Sequence, residues 1–367
     1  MRAIAFVIAA AGCGRVGFEA VDLALAPETA RINVGSSLQL AALGGAPPYT
    51  FTTDTATIDA ATGRLHATSA AGVATVTVTD ASGATATATV DIGGDFLYLA
   101  GGFDSVPHDE VWRTADGVTW EVVGHLPAPR TYGQLVVFDD ALYFFGGWVD
   151  QPDGMATADA WRSSDGATWT PVGALPQIAA AQGAAVWNGR LWLADGIIPL
   201  DAYSPTLWSS TDGETWRDEP ALPVGGHNML LVPFRDGLWS VAGHEEAAQS
   251  AELNVTTDGA TWSSPGAVPA AGEYHGTCAH AGKLWVAGGL GLARRIVSTS
   301  DGATWTDATP FALARQYVTA LSFRGELWLV GGVPADTLHS PDGAAWTVLP
   351  PFPELLQGSS AVQFTPR

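Results

Sequence analysis

The chain has 367 residues, 47% hydrophobic and only 14% charged, enough length for two or three domains. Its 37 acidic residues outnumber 16 basic ones, giving a formal charge of −21, and Lys283 is the only lysine. No basic face is available to neutralise phosphates, which excludes a nucleic-acid binder, and two cysteines exclude a disulfide framework.

The chain opens with Met1-Arg2, an apolar run from Ala3 to Gly12, and Cys13. A charge, a brief apolar core and small residues form a secretory signal too short to cross a membrane as a helix. Ala10-Ala11-Gly12-Cys13 resembles the lipobox of bacterial lipoproteins, with Ala10 where leucine is commonest. That resemblance implies cleavage before Cys13, diacylglycerol on its thiol, and anchorage to an outer membrane or cell surface through buried acyl chains. A plainly secreted protein is the alternative. Residues 1–12 are then a signal peptide and 13–22 a tether.

Residues 23–93 carry almost no helix signal. Leu38-Gln39-Leu40, Val73–Val78 and Ala84–Val90 alternate with the period of half-buried strands, and Gly44-Gly45, Pro47-Pro48 and Asp80–Gly83 mark turns between them. Short strands with regular turns predict a β-sandwich. Val34–Leu40, Gly44–Tyr49, Ile58–Gly63 and Thr77–Asp80 resemble bacterial Ig-like domains, which implies a disulfide-free spacer without a site of its own.

From residue 94 two marks recur six times. The first is an apolar strand ending in small residues: Leu97–Gly102, Leu142–Gly147, Leu191–Gly196, Leu238–Gly243, Leu284–Gly289 and Leu327–Gly332. The second is Asp-Gly-x-x-Trp, with Trp120, Trp169, Trp216, Trp262, Trp305 and Trp346 separated by 49, 47, 46, 43 and 41 residues. A period in the forties predicts four-stranded propeller blades, each burying its faces against two neighbours, with the repeated tryptophan as an apolar plate between them.

The Gly-Gly strand, the later tryptophan, and Leu126-Pro127, Leu175-Pro176 and Leu222-Pro223 resemble the kelch motif over residues 94–367; the family's inner-strand arginine matches only at Arg130 and Arg315. The expected fold is all-β: a small Ig-like β-sandwich followed by a six-bladed kelch-like β-propeller. Its first repeat lacks an inner strand. Ser359–Phe364 at the far end is the expected substitute, so that the C-terminal strand closes the ring and removes its free edges.

The six Asp-Gly turns resemble the Asp-box of sialidases with one residue fewer between Asp and Gly. Asp accepting backbone N–H groups and Gly supplying positive φ make a structural turn. Six aspartates in one context do not make one active site. Function is therefore expected on the opposite face, among the Gly-Gly loops. Loops 148–158, 197–205 and 244–251 carry Asp150, Asp153, Asp201, Glu245 and Glu246. With Arg130, Tyr132, His227, His244, Tyr274, His275, Arg315 and Tyr317 they predict an acidic-rimmed aromatic pocket for a protein or carbohydrate ligand.

No complete catalytic set is present. A sialidase needs three arginines about the substrate carboxylate, and Arg130 and Arg315 supply two. A galactose-oxidase-like copper site needs a Tyr–Cys cross-link, and Cys278 lies four residues along the strand from Tyr274; burial as a small apolar residue is the expectation for it. His227, His244 and His275 on adjacent blades are a conceivable zinc set, but neither metal nor cofactor is expected. The sequence points to a monomeric, non-enzymatic binding protein, with a secreted carbohydrate-active enzyme as the alternative.

Overall fold

A computed structural model describes residues 22–33, 37–67, 72–149, 155–194, 196–198, 202–203, 205–245, 248–270, 272–354 and 356–366. The expected signal peptide, Cys13 and nearly all of the expected tether lie outside them. The chain divides into two compact units between Ile92 and Gly93. No helix among the described residues is long and apolar enough to cross a membrane.

The first unit is built of antiparallel sheets. One has the strand order Thr29–Asn33, Thr85–Gly93, Gly72–Thr79, Thr50–Thr53; a smaller one has Ser37–Gln39, Arg64–His66, Thr57–Ile58. In Gly72–Thr79 the alternation is strict: Ala74, Val76 and Val78 are buried, and Val73 and Thr75 are exposed. The buried set joins Leu25, Leu40, Phe51, Leu65 and Val90 in one core. The Asp80 turn is tied by its carboxylate, which accepts the Ser82 hydroxyl at 2.7 Å and the backbone N–H groups of Ala46 and Ser82 at 2.8 Å. These donors hold the carboxyl down at about 2.

The second unit is a six-bladed propeller. Blades 2 to 6 each run outward from an inner strand: Gln134–Phe138, Gly183–Trp187, Leu230–Phe234, Gly276–His280 and Thr319–Phe323. Blade 1 takes its inner strand from the far end, since Ser360–Phe364 pairs antiparallel with Phe96–Ala100 from Ala100↔Ser360 to Phe96↔Phe364. Each inner strand touches the next around the ring, including Ser360–Phe364 with both Thr319–Phe323 and Gln134–Phe138. The expected closure is what the chain forms.

The core lies between blades. Each gap from blade 2 round to blade 1 has its own apolar cluster, such as Leu97, Leu99, Trp328, Val330 and Phe352 between blades 6 and 1. Two aromatics per blade build these gaps, where the repeat pattern marks one. The Asp-Gly tryptophans are half-buried on or beside the outer strand, and Trp216 meets Phe145 of the preceding blade edge-on at 5.6 Å. A second, fully enclosed set sits on the second strands: Tyr98, Tyr143, Trp192, Trp239, Trp285 and Trp328. Each lies against the Asp-Gly glycine of the next blade, Gly166, Gly213, Gly259, Gly302, Gly343 and Gly117 respectively. A Cβ there would enter the ring, and φ of 74–82° independently favours glycine.

The Asp-Gly turns are tied within themselves. In Asp258-Gly259, Oδ1 accepts from the Ala260 and Thr261 N–H groups at 2.8 and 2.7 Å, while Thr256 Oγ1 accepts from Gly259 at 2.9 Å. The preceding Ser or Thr does the same in every blade, at Thr114, Ser163, Ser210, Thr256, Thr299 and Ser340. Those backbone bonds pull Asp212, Asp258 and Asp301 down to about 2. The turn aspartates are therefore engaged in the fold.

At the opposite end the glycine that closes each of the six apolar-strand repeats reaches across the gap. The N–H groups of Gly102, Gly147, Gly196, Gly243, Gly289 and Gly332 donate to the carbonyls of Arg130, Ala179, Gly226, Gly272, Arg315 and Leu356 on the next blade, at 2.8–3.1 Å. The ring is thus stitched at one end by aromatic rings packed on glycines and at the other by repeated main-chain hydrogen bonds.

Candidate functional site

The inner strand of each blade is paired on one side only, so its remaining backbone N–H and C=O groups face the axis. The six edges enclose a cavity of about 320 Å³, whose wall includes Gln134, Gln182, Leu231, Thr277, Thr319 and Ser360. A hydrogen-bonding wall with apolar patches suits a small polar ligand.

The mouth of this cavity has a regular backbone and irregular side chains. Two residues before each inner strand stand Tyr132, Ala181, Asn228, Tyr274, Tyr317 and Gly358, all with φ between 55 and 63°. Four of their N–H groups donate to the same position one blade back: Tyr132 to Gly358, Ala181 to Tyr132, Asn228 to Ala181 and Tyr317 to Tyr274, at 2.8–2.9 Å. Five of the six are not glycine. A bulky side chain in the left-handed region costs about 1–3 kcal/mol and clusters where structure serves function.

All six positions line the cavity, and the three tyrosines meet one another there. The ring centroids of Tyr274 and Tyr317 are 4.2 Å apart, and Tyr132 stands 6.2 Å from Tyr317 and 6.5 Å from Tyr274. Burial pushes the Tyr132 phenol upward, reinforced by Tyr317, and burial with the neighbouring Glu273 carboxylate does the same to Tyr274. The Tyr132 and Tyr274 phenols therefore stay protonated as donors. Glu273 is only 6% exposed; its Oε1 accepts from Asn228 Nδ2 at 3.3 Å and lies 4.0 Å from His227 Nδ1.

The predicted residues divide. Tyr132, Tyr274, His275 and Tyr317 line the cavity. His227 and His244 pack against each other at a tilt with ring centroids 4.9 Å apart, and their backbones bridge at 3.0 and 2.9 Å. His275 instead directs Nδ1 to Thr277 Oγ1 at 2.9 Å, and burial holds its imidazole down at about 4, so it is neutral. The three histidines are not among the described groups whose ligand atoms converge. Burial depresses His227 as well.

Arg130 and Arg315 do not reach the mouth. Each is buried, 2% and 3% exposed, and turned into its own blade. Arg130 pairs with Asp159 and covers the Trp161 ring; Arg315 holds Asp336 through two bonds at 2.9 and 2.7 Å. Each guanidinium is thus turned to a carboxylate on its own third strand and away from the mouth, where it does not meet a ligand carboxylate. Cys278 packs with Trp285 and Leu329 between blades 5 and 6, where burial pushes its thiol upward. Asp150, Asp153, Asp201, Glu246 and the side chain of Glu245 lie outside the described residues.

Sequence reasoning missed Asn228, Glu273 and Gln182. Asn228 was legible by register, since it occupies the place of the three tyrosines in blade 4. Glu273 carried no repeat signal. Only the closed ring brings it to Asn228 and His227.

No family model matches the chain, and no curated protein matches it. Among solved structures, the one titled "Structure of YjhT" superposes with a TM-score of 0.57, covering 69% of this chain and 97% of that chain at 16% identity. At that identity the likeness concerns the fold alone.

Proposed function

We propose that the protein is a lipid-anchored bacterial envelope protein whose Ig-like spacer carries a kelch-type propeller, and that the propeller binds an uncharged carbohydrate at its mouth. The observation that carries this reading is the cluster of Tyr132, Tyr274 and Tyr317 above a cavity of about 320 Å³, with Glu273 and Asn228 beside it. Aromatic faces offer an apolar platform to sugar C–H groups, while phenols, amide and carboxylate answer hydroxyls. A chain of charge −21 with both inner-strand arginines engaged disfavours an anionic ligand.

The test is a binding screen of the purified protein against neutral and acidic glycans, repeated with Tyr317→Ala. Binding to neutral glycans, weakened about tenfold or more in the variant, supports the reading; a tenfold change corresponds to about 1.4 kcal/mol, within the range of one aromatic contact. Preference for acidic glycans, or indifference to the substitution, overturns it. Anchoring has its own test: Cys13→Ser should release the protein from membranes.

An enzymatic reading of the same site rests on Glu273 standing beside Tyr274. It requires glycan turnover that Tyr274→Phe abolishes.

A further inference from the structure

One carboxylate position on the third strand, the first residue in blades 1 and 6 and a mid-strand residue in the longer strand of blade 2, is answered differently from blade to blade. In blades 2 and 6 Asp159 and Asp336 meet Arg130 and Arg315. Glu110 holds the same place in blade 1, but the inner-strand position opposite is Leu356, as the shared hydrogen bond from the preceding blade's second glycine shows. Glu110 therefore has no arginine. Its Oε2 lies 3.1 Å from His108 Nδ1, and a second carboxylate, Glu354, brings its Oε2 to 3.5 Å from the same nitrogen.

One ring nitrogen cannot satisfy two carboxylates. Nδ1 is within hydrogen-bond distance of Glu110 Oε2, and Glu354 Oε2 is left sealed from solvent with no hydrogen-bond partner. His108 is largely buried, its side chain 14% exposed, and its Nε2 is also sealed from solvent, 3.1 Å from Asp104 Oδ1. A histidine with a carboxylate behind one nitrogen and open oxygens before the other has the arrangement of a metal-bound imidazole, oriented by its acidic partner.

We infer that His108 Nδ1, Glu110 Oε2 and Glu354 Oε2 form a binding site for a divalent transition metal of the zinc type. Tetrahedral zinc with bonds of about 2.0–2.1 Å places its ligand atoms about 3.3–3.4 Å apart, and the separations here are 3.1 and 3.5 Å. The ion supplies the positive charge that arginine supplies in blades 2 and 6, and a mixed nitrogen–oxygen set suits zinc better than calcium. Three protein ligands leave a fourth position for water.

Location gives the ion a role. Glu354 belongs to the segment that leads into the closing strand, and Gln357 of that segment bonds Phe103 O of the His108 loop at 2.9 Å. The metal fastens the C-terminal segment to blade 1 at the seam of the ring.

The experiment titrates Zn²⁺ into the chelator-treated full chain by calorimetry and follows its thermal unfolding. One equivalent should bind and raise Tm. Glu354→Gln keeps the shape of the side chain and should weaken binding at least tenfold, and Asp104→Asn should weaken it about 10–100-fold by loosening the imidazole. His125, paired with Asp109 at 2.8 Å on the exposed side of the same strand pair, provides the control. His125→Ala should leave affinity unchanged. Absence of Zn²⁺ binding, affinity unaltered in folded Glu354→Gln, or affinity lost in His125→Ala instead would each overturn the assignment.

Discussion

The two ends of the propeller obey the same sixfold backbone and treat their side chains in opposite ways. At the Asp-Gly end, backbone and side chains repeat together: aspartate, glycine, the preceding Ser or Thr, and an aromatic from the neighbouring blade. At the mouth the backbone repeats as faithfully, with six left-handed residues, yet the side chains are three tyrosines, an asparagine, an alanine and a glycine. Where both repeat, the residues serve the ring. Where the backbone repeats and the chemistry does not, the fold is presenting side chains rather than being held by them.

The largest effect should come from breaking the repeating end. In Gly343→Val a branched side chain enters the space of the Trp285 ring at φ 77°. Overpacking plus left-handed strain should destabilise the protein by about 3–5 kcal/mol in denaturant unfolding. A loss below about 1 kcal/mol would show that the blade gap is loose, and the contrast between the ends would lose its basis.

Acid should sharpen the contrast almost as much. His275, in the wall of the mouth, is held near 4 by burial against an ordinary value of 6.5. Its folded pKa lies below its unfolded one, so its contribution is complete above pH 6.5 and disappears as the pH falls towards 4. The loss approaches about 3 kcal/mol for a fully buried group. The Asp-Gly carboxyls have a lower window, since Asp212, Asp258 and Asp301 keep their contribution until the pH drops below 3.8 towards 2. Between pH 6.5 and 4 the mouth should loosen while the turns remain ionised. Hydrogen exchange resolved by segment should show protection lost first at residues 272–277. His275→Gln should flatten the dependence of Tm on pH in this window, and an unchanged slope would remove His275 as its source.

A smaller effect is expected from Ser163→Ala. It leaves the Gly166 N–H, now bonded to Ser163 Oγ at 2.8 Å, buried without an acceptor. That should cost about 1–2 kcal/mol, with ligand affinity per folded molecule unchanged.

What the sequence made legible follows the same division. The ring, its six repeats and its closure by Ser360–Phe364 were readable because each is enforced six times or completes a visible gap. Tyr132, Tyr274 and Tyr317 were readable as aromatics at inner-strand starts. Arg130 and Arg315 misled, because an inner-strand start fixes where a backbone sits and not which way a long side chain turns. Each found a carboxylate on its own third strand, Asp159 and Asp336, a pairing that depends on cross-strand register. Glu273 was illegible for the complementary reason: its neighbours Asn228 and His227 come from the preceding blade.

The mildest change in stability should carry the largest change in binding, at Tyr274. Tyr274→Asn removes a ring packed at 4.2 Å on Tyr317, a contact of about 0.5–1.5 kcal/mol. It also places at φ 61° a residue that tolerates the left-handed region far better than tyrosine. Loss and relief should nearly cancel, leaving stability within about 1 kcal/mol of the parent, while carbohydrate affinity falls tenfold or more. A destabilisation of about 3 kcal/mol would mean that the tyrosine cluster is a piece of core at the end of the axis. The unequal side chains of the mouth would then be packing by other means, and the contrast between the two ends would no longer point to a ligand.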